Sequence, residues 1–391
     1  MVVVVKIQKI ILAICLITYT LSNTTTNAQD RQGLLLNAAL KLQNDNNVLR
    51  KVEPTSDSSI QISPDIKYLT LTGKHILAFS YEGEYAAYND YSELNYDNHD
   101  LSLLGHFDHS LKIDTEFKIS YKDEIEEPGT NNSASSLINE FNQTDKKQAA
   151  AKFYYGTRKS IGQLVLGIDH SENRYNNNFQ NYRDVDRNTL TGTFYYRIAP
   201  KTRLLFQASI ADYNYQIKSQ FPDQSSKENY YLAGVEWDIT AKTSGTFKIG
   251  YQSKNFEQDV YNDITGLSYM LDMTWKPNTY TKIKLGASKM TRESSQQLTS
   301  AFITNTYSIN AEHAITPRTE LKGQYTYDND DIVSSQNRTD ERHNITLGIN
   351  HSLLTWLNVS LDYKYIERSS DFEVYNYKAN IIGLSLTTNF E

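Results

Sequence analysis

The stretch that decides the fold is Thr246–Lys254, which reads Thr-Phe-Lys-Ile-Gly-Tyr-Gln-Ser-Lys. Side chains of an extended strand point alternately to opposite faces, so Phe247, Ile249 and Tyr251 share one face and the polar residues share the other. A strand built this way separates an apolar environment from an aqueous one. The same two-sided pattern returns at 112–122, 282–287, 320–327 and 357–365.

The number and length of such stretches distinguish a membrane barrel from a soluble sandwich. The turn signals divide the chain into about 18 strands, an even number, as in bacterial outer-membrane barrels. Each exceeds the usual 5–6 residues of soluble strands, and a tilted membrane strand needs about 9–11. The expected strands are 33–44, 58–71, 74–89, 95–109, 111–123, 146–158, 161–174, 186–199, 202–216, 228–240, 243–256, 263–276, 280–292, 303–315, 318–328, 341–353, 355–367 and 376–390.

The connections between these strands alternate between two kinds. Tight turns, several of the form Pro-x-Thr, alternate with longer polar loops, as the periplasmic and extracellular ends of an outer-membrane barrel do. The loop at 124–145 is the longest, and we expect a solvated outer loop there rather than an inward plug. The other predicted loops are 45–57, 90–94, 175–185, 217–227, 257–262, 293–302, 329–340 and 368–375.

The N-terminus reads as a secretory signal peptide at Met1–Ala28. Lys6 and Lys9 precede a short apolar core, and Thr26-Asn27-Ala28 forms a cleavage site. The apolar core is shorter than the roughly 20 residues that a spanning helix needs. The only cysteine, Cys15, lies in this leader, so we predict a mature chain, residues 29–391, that is a single barrel without disulfides.

Composition and motifs argue against several function classes. Asp and Glu number 46 against 39 Lys and Arg, which leaves no basic footprint for nucleic acid. His106 and His109 would face opposite sides of a strand and so could not share a metal. No nucleophile-elbow, zinc or phosphate-loop spacing is present, so we expect neither an enzyme nor a cofactor.

Closure of the sheet predicts a polar passage. A sheet in hydrocarbon cannot leave an unpaired edge, and about 18 closed strands enclose a lumen wide enough for water. Both signs of charge are present on the predicted inner face and no single sign dominates at one level of the lumen, which suits neutral or weakly charged hydrophilic cargo. The lumen-lining candidates are Glu82, Glu84, Asp114, Glu116, Lys118, Glu236, Asp238, Lys248, Asp272, Lys284, Glu312, Glu320, Lys322, Asp362 and Lys364.

The aromatic residues allow two interpretations. Most of the 29 tyrosines fit girdles at the two membrane interfaces, and the three tryptophans, each close to a tight turn, fit a periplasmic belt. The alternative is sugar stacking on lumen-facing rings. The tryptophans are Trp237, Trp275 and Trp356, and the candidate stacking rings are Tyr154, Tyr196, Tyr213 and Tyr215.

The last strand carries the features of a barrel-closing strand. Gly383, Leu386 and Phe390 supply the glycine, the alternating apolar residue and the near-terminal aromatic residue, with Glu391 after it. We expect the barrel-assembly machinery to recognise this strand, and outer-membrane lipid to surround the folded barrel.

The opening of the mature chain resembles a known family. Asp45-Asn46-Asn47-Val48-Leu49-Arg50, followed by Ser56-Asp57, is similar to the start of outer-membrane barrels encoded with exopolysaccharide-synthesis genes (EpsL/VpsM-like, also described as β-barrel porin type 2). The resemblance implies a porin of the bacterial outer membrane that passes polysaccharide cargo, together with a periplasmic polysaccharide-export partner. Two alternatives stay open: a general or sugar-selective diffusion porin, and a structural or adhesive anchor.

Overall fold

The computed structural model describes residues 32–130, 140–217, 222–240, 242–294, 299–334 and 338–390. The predicted signal peptide, Met1–Ala28, lies outside these residues. The strands are β1 Gly33–Asp45, β2 Asp57–Thr72, β3 His75–Tyr88, β4 Tyr96–Ser110, β5 Ile113–Ile125, β6 Gln143–Tyr155, β7 Gly162–Tyr175, β8 Val185–Ala199, β9 Thr202–Tyr215, β10 Ser226–Thr240, β11 Thr243–Phe256, β12 Ile264–Trp275, β13 Thr281–Glu293, β14 Thr299–Thr316, β15 Thr319–Ser334, β16 Arg338–Leu354, β17 Leu357–Ser370 and β18 Tyr377–Phe390.

These 18 strands form one closed antiparallel barrel, which confirms the predicted fold class. Each strand pairs with its sequence neighbours, and β18 closes the sheet by pairing with β1 from Leu36↔Phe390 to Asp45↔Ile381. The shortest strand has 12 residues and the longest 18, well beyond ordinary soluble strands. In the described part of the chain, no helix has the length and apolarity to span a membrane.

Contacts between strands that are not neighbours identify the inner face. The Tyr215 hydroxyl on β9 donates to Glu293 on β13 at 2.6 Å, and Lys254 on β11 pairs with the same carboxylate. Such contacts reach past intervening strands and are made inside the barrel. Lys254 and Lys248 therefore point inward, whereas Ile249 is 41% exposed on the outside.

The two ends of the barrel differ as the turn pattern predicts. Tight connections such as 73–74, 111–112 and 200–201 lie at one end, together with the start of β1 and the end of β18. The long loops lie at the other end. By the rule for outer-membrane barrels, the short-turn rim faces the periplasm and the long-loop rim faces outward.

Two predicted loops contain strand residues at their ends. β15 continues to Ser334 and β16 begins at Arg338, within the expected loop 329–340, and β14 begins at Thr299 within the expected loop 293–302. Asp328 and Asp330 on the inner face of β15 accept hydrogen bonds from threonine hydroxyls of β14. These polar strands extend past the apolar band, so their composition resembles that of a loop.

The aromatic residues near the short-turn rim form part of an outer belt. Trp275 and Trp356 are 41% and 43% exposed, and the Trp356 ring stacks on Phe390 with 5.9 Å between ring centroids. Leu386 and Phe390 point outward on β18, whereas Gly383 lies on the inner face, where the Lys41 side chain packs over it. The amphipathic rings are thus placed where membrane interfaces favour them.

The ladder between β12 and β13 is incomplete over the part of these strands nearest the long-loop rim. β12 and β13 pair only from Tyr269↔Lys289 to Trp275↔Ile283, so 264–268 and 290–293 are not paired with each other. We call these two segments the β12–β13 seam. Side chains cross it instead: the Ser268 hydroxyl donates to the Lys289 carbonyl at 2.8 Å, and Lys254 binds Glu293.

Candidate functional site

The interior of the barrel is the candidate site. By strand register, all the predicted lumen-lining residues lie on the same face as Lys254, opposite the exposed apolar side chains. They are Glu82, Glu84, Asp114, Glu116, Lys118, Glu236, Asp238, Lys248, Asp272, Lys284, Glu312, Glu320, Lys322, Asp362 and Lys364.

Charges on this inner face are extensively paired. Lys67 lies 3.0 Å from Glu82, Lys282 lies 2.9 Å from Glu312, and Lys322 lies 3.3 Å from Glu320. Because these pairs are partly exposed to lumen water, each contributes little to stability, about 0–1 kcal/mol. Their combined effect is a wall with both charge signs and no large field of one sign.

Of the candidate stacking tyrosines, three point into the lumen and one does not. Tyr154, Tyr213 and Tyr215 lie on the inner face of their strands. Tyr196 lies on the outer face with 46% of its surface exposed, so its prediction as a lumen ring was wrong. Its neighbour Tyr195 points inward instead, because adjacent strand residues alternate faces.

The most prominent feature of the interior is a peptide segment that folds into it. Residues 126–130 follow β5 and leave the wall, and we call them the inward segment. The Arg183 guanidinium donates to both oxygens of Glu126, at 2.7 and 3.0 Å, and the Tyr175 hydroxyl donates at 3.2 Å. Arg183 and Glu126 are only 6% and 13% exposed, so this bidentate pair is screened from water.

The inward segment also reaches the far wall. Lys364, midway along β17, lies 3.1 Å from Glu127, although β18 and β1–β4 separate β17 from β5 around the sheet. Burial is the largest influence on the pKa of Glu127 and acts to raise it. Lys364, Arg50 and Arg342 outweigh burial and lower this pKa.

Gly129 completes this contact with the far wall. Its carbonyl accepts hydrogen bonds from the Tyr377 hydroxyl at 2.9 Å and from Arg368 at 3.3 Å. Its φ is +75°, and a Cβ there would lie 2.7 Å from Tyr377 ring carbons and from the Arg50 Cβ. Only glycine fits such an approach without displacing its neighbours.

The expectation of a solvated outer loop at 124–145 is therefore wrong for residues 126–130. Residues 131–139 lie outside the described ranges. Of the acidic residues of this segment, Glu126 is screened from water, whereas Glu127 is 59% exposed to the lumen while it contacts Lys364.

The Asp45–Arg50 stretch forms a second element that folds inward at the long-loop rim. Arg50 lies 2.7 Å from Asp45, and the Asn47 side chain donates to the Lys378 carbonyl at 2.9 Å. Val48 and Leu49 are 2% and 8% exposed and pack with Leu94 and Phe141 of neighbouring loops. The Asp45–Arg50 stretch, which carries the family resemblance, therefore packs three loops against one another.

The described residues contain no cluster suited to hold a metal ion. No group of three or more His, Cys, Asp or Glu among them is arranged to hold a metal ion. His106 contacts Glu116 on the inner face at 3.4 Å, whereas His109 contacts Thr115 on the outer face, so the two histidines do not meet.

Comparison with two solved structures supports the fold. A BenF-like porin from Pseudomonas fluorescens Pf-5 is similar at 9% identity with a TM-score of 0.51, and OccK1 (OpdK) from Pseudomonas aeruginosa at 10% identity with 0.50. Both comparisons cover 91% of this chain and 99% of the other. The alcaligin outer-membrane receptor FauA from Bordetella pertussis is similar at 9% identity, covering 93% of this chain and 77% of that one, with a TM-score of 0.45.

No curated protein matches the sequence. The family model described as "Putative beta-barrel porin 2" matches residues 35–390, which is nearly all of the barrel. The closed barrel, its outward apolar face and its polar interior agree with that description. The chain therefore belongs to this family of porin-like outer-membrane β-barrels.

Proposed function

We propose that this barrel is an outer-membrane channel for the export of exopolysaccharide or capsular polysaccharide, acting with a periplasmic polysaccharide-export partner. The observation that carries the proposal is a closed barrel whose polar interior is narrowed by a non-covalently held segment. A long hydrophilic chain needs a continuous polar path and a constriction that can yield to it. Ion pairs and hydrogen bonds can be broken and re-formed as the chain passes.

The character of the inner wall favours a hydroxyl-rich cargo. Mixed and largely paired charges neither attract nor exclude one ionic sign strongly. Hydroxyl and amide side chains stand between them, as in the cross-strand pairs Ser80 with Ser102 and Thr191 with Ser209, at 2.7 and 3.0 Å. In this proposal the protein has no catalytic residue, and synthesis and the periplasmic partner drive the movement.

A diffusion porin is the second candidate. The family description as a porin favours it, as does an inner wall that bears polar groups along the whole strand length. In that case the inward segment sets the size limit for small solutes instead of yielding to a polymer. The third candidate is an anchor whose outer loops bind partners, which the packed loop cluster at the long-loop rim favours.

Deletion of the gene tests the proposal. We expect polymer to accumulate in the periplasm or to disappear from the cell surface, and the full-length gene to restore it. Normal surface polymer in the deletion strain would contradict export. Single-channel conductance of the purified protein separates both channel hypotheses from an anchor, since a plugged anchor does not conduct.

A further inference from the structure

A groove on one side of the inner wall lies apart from the inward segment. It runs along β5–β9 and encloses a cavity of about 540 Å³. Tyr154 and Tyr195 stand toward the short-turn rim, and Gln148 and Thr189 stand nearer mid-height. We call this the lower groove.

Two tyrosines form the lower part of this groove, and both are held in place. The Arg203 guanidinium lies 4.1 Å from the Tyr195 ring centroid, and Arg203 is fixed by Glu236 at 2.8 and 2.9 Å. The Tyr154 hydroxyl donates to Glu116 at 2.8 Å. A ring held this way loses little freedom on binding a ligand, which favours affinity.

A row of hydroxyls continues upward from the rings. Thr189, Thr191 and Thr193 occupy successive inward positions of β8, about 6–7 Å apart at the usual strand rise. The Thr189 hydroxyl oxygen is buried and has no hydrogen-bond partner among the described residues. Buried polar atoms in folded proteins are normally satisfied, so a rotation of this side chain toward the groove would give the hydroxyl a partner in a bound ligand.

The groove presents both positively and negatively charged side chains to a ligand. Lys118 and Lys152 make no ion pair within 4 Å in the described ranges of the chain, so their ammonium groups can donate to a ligand. The carboxylate of Asp169 accepts from Gln148 at 2.5 Å and retains further acceptor capacity. Donors and acceptors therefore alternate beside apolar ring faces.

We propose that the lower groove binds a segment of a saccharide chain. Sugars combine apolar ring faces, which pack on aromatic side chains, with hydroxyls that both donate and accept hydrogen bonds. The balance of charge disfavours a small inorganic anion or cation as the ligand. The inference rests on the proposed export function, for which it supplies a docking site on the periplasmic side.

Equilibrium binding to the purified full-length barrel in detergent tests the inference without requiring conduction. The probes are maltohexaose, chitohexaose and hexagalacturonate, with polyethylene glycol of similar size as the non-sugar control. We expect at least one saccharide to bind about tenfold more tightly than polyethylene glycol. Equal or weaker binding of all three would overturn the inference.

Two variants locate the binding. The double change Thr189→Val and Thr191→Val removes hydroxyls with little change of shape, and Tyr195→Leu removes a ring. Each should weaken saccharide binding about fivefold or more. The control is Thr326→Val, an inward threonine on β15 outside the groove, which should leave binding unchanged. Equal loss in the control would overturn the assignment to the groove.

The binding measurements and the deletion test can fail separately. Export that depends on the protein, with no saccharide binding, contradicts the groove alone. Saccharide binding in a protein whose deletion leaves surface polymer normal contradicts export alone. Should Tyr195→Leu fail to fold, the threonine pair still decides the question.

Discussion

Arg183 and Glu126 form a bidentate ion pair inside the barrel, at 2.7 and 3.0 Å, between side chains 57 residues apart in sequence. Both are largely screened from water. Removing one partner of such a pair leaves an uncompensated buried charge. The pair therefore determines whether the inward segment stays attached to β7 and its following loop.

Glu126→Gln should loosen the inward segment. Breaking a buried ion pair costs about 3–5 kcal/mol, so Thr130→Cys should react with an external maleimide at least about tenfold faster in the variant. The natural cysteine, Cys15, lies in the predicted signal peptide, so we expect the mature chain to offer the reagent no other thiol. The control is Lys227→Gln, because Lys227 and Asp212 are 70% and 54% exposed and contribute little. Equal labelling in all backgrounds would contradict an attached segment.

Acid should loosen the contact of the inward segment with the far wall through Glu127. Its pKa is lowered below the ordinary value of 4.5, with Lys364 the main group that lowers it. Because the pKa of Glu127 is lowered, the ion pair stabilises the inward position at pH values above the ordinary pKa. This stabilisation is lost as the pH falls through the lowered pKa. Conductance should therefore rise below about pH 4.5. In Glu127→Gln this part of the pH dependence should be missing, and an unchanged profile would argue against the pair.

Phe247 and Lys248 test the assignment of faces with adjacent residues. Phe247→Lys places a charge toward lipid, which costs about 2–4 kcal/mol near the bilayer midplane, so folded barrel in the outer membrane should fall. Lys248→Phe changes only the inner wall and should assemble normally while altering conductance. The measurement is the heat-modifiable band in outer-membrane fractions. Equal amounts of the two variants would contradict the faces.

The β12–β13 seam should be the least protected part of the wall. Amides of 264–268 and 290–293 that face the gap lack ladder partners, and should exchange hydrogen about tenfold or more faster than amides at similar height in β14 and β15. Lys254→Met removes the fully buried cation that binds Glu293 and should speed this exchange further. Uniform protection around the barrel would contradict the interruption.

Local pattern was enough to predict the barrel but not what folds inside it. The alternation at Thr246–Lys254 determines which side chains can face lipid, and one register error suffices to misplace a residue, as with Tyr196. The inward segment has the composition of an outer loop. Its partners Arg183, Lys364 and Tyr377 are 57 to 248 residues away, so no sequence window contains them.

The interruption between β12 and β13 also lacked a sequence signal. Gly266, with φ +159°, is extended backbone that marks no break by itself. The buried Lys254 reads in sequence as an ordinary inward charge. Its role depends on Glu293 and on the Tyr213 ring, 3.7 Å from its ammonium group, which only the closed barrel brings together.

Single-channel conductance in a planar bilayer tests the central claim most directly, comparing the natural protein with Gly129→Ala combined with Glu126→Gln. The double change removes the ion pair and introduces a Cβ where Tyr377 and Arg50 leave no room. A water-filled passage narrowed by residues 126–130 predicts a small conductance in the natural protein and a severalfold larger one in the variant. Identical conductance in the two proteins, or none in either, would contradict it.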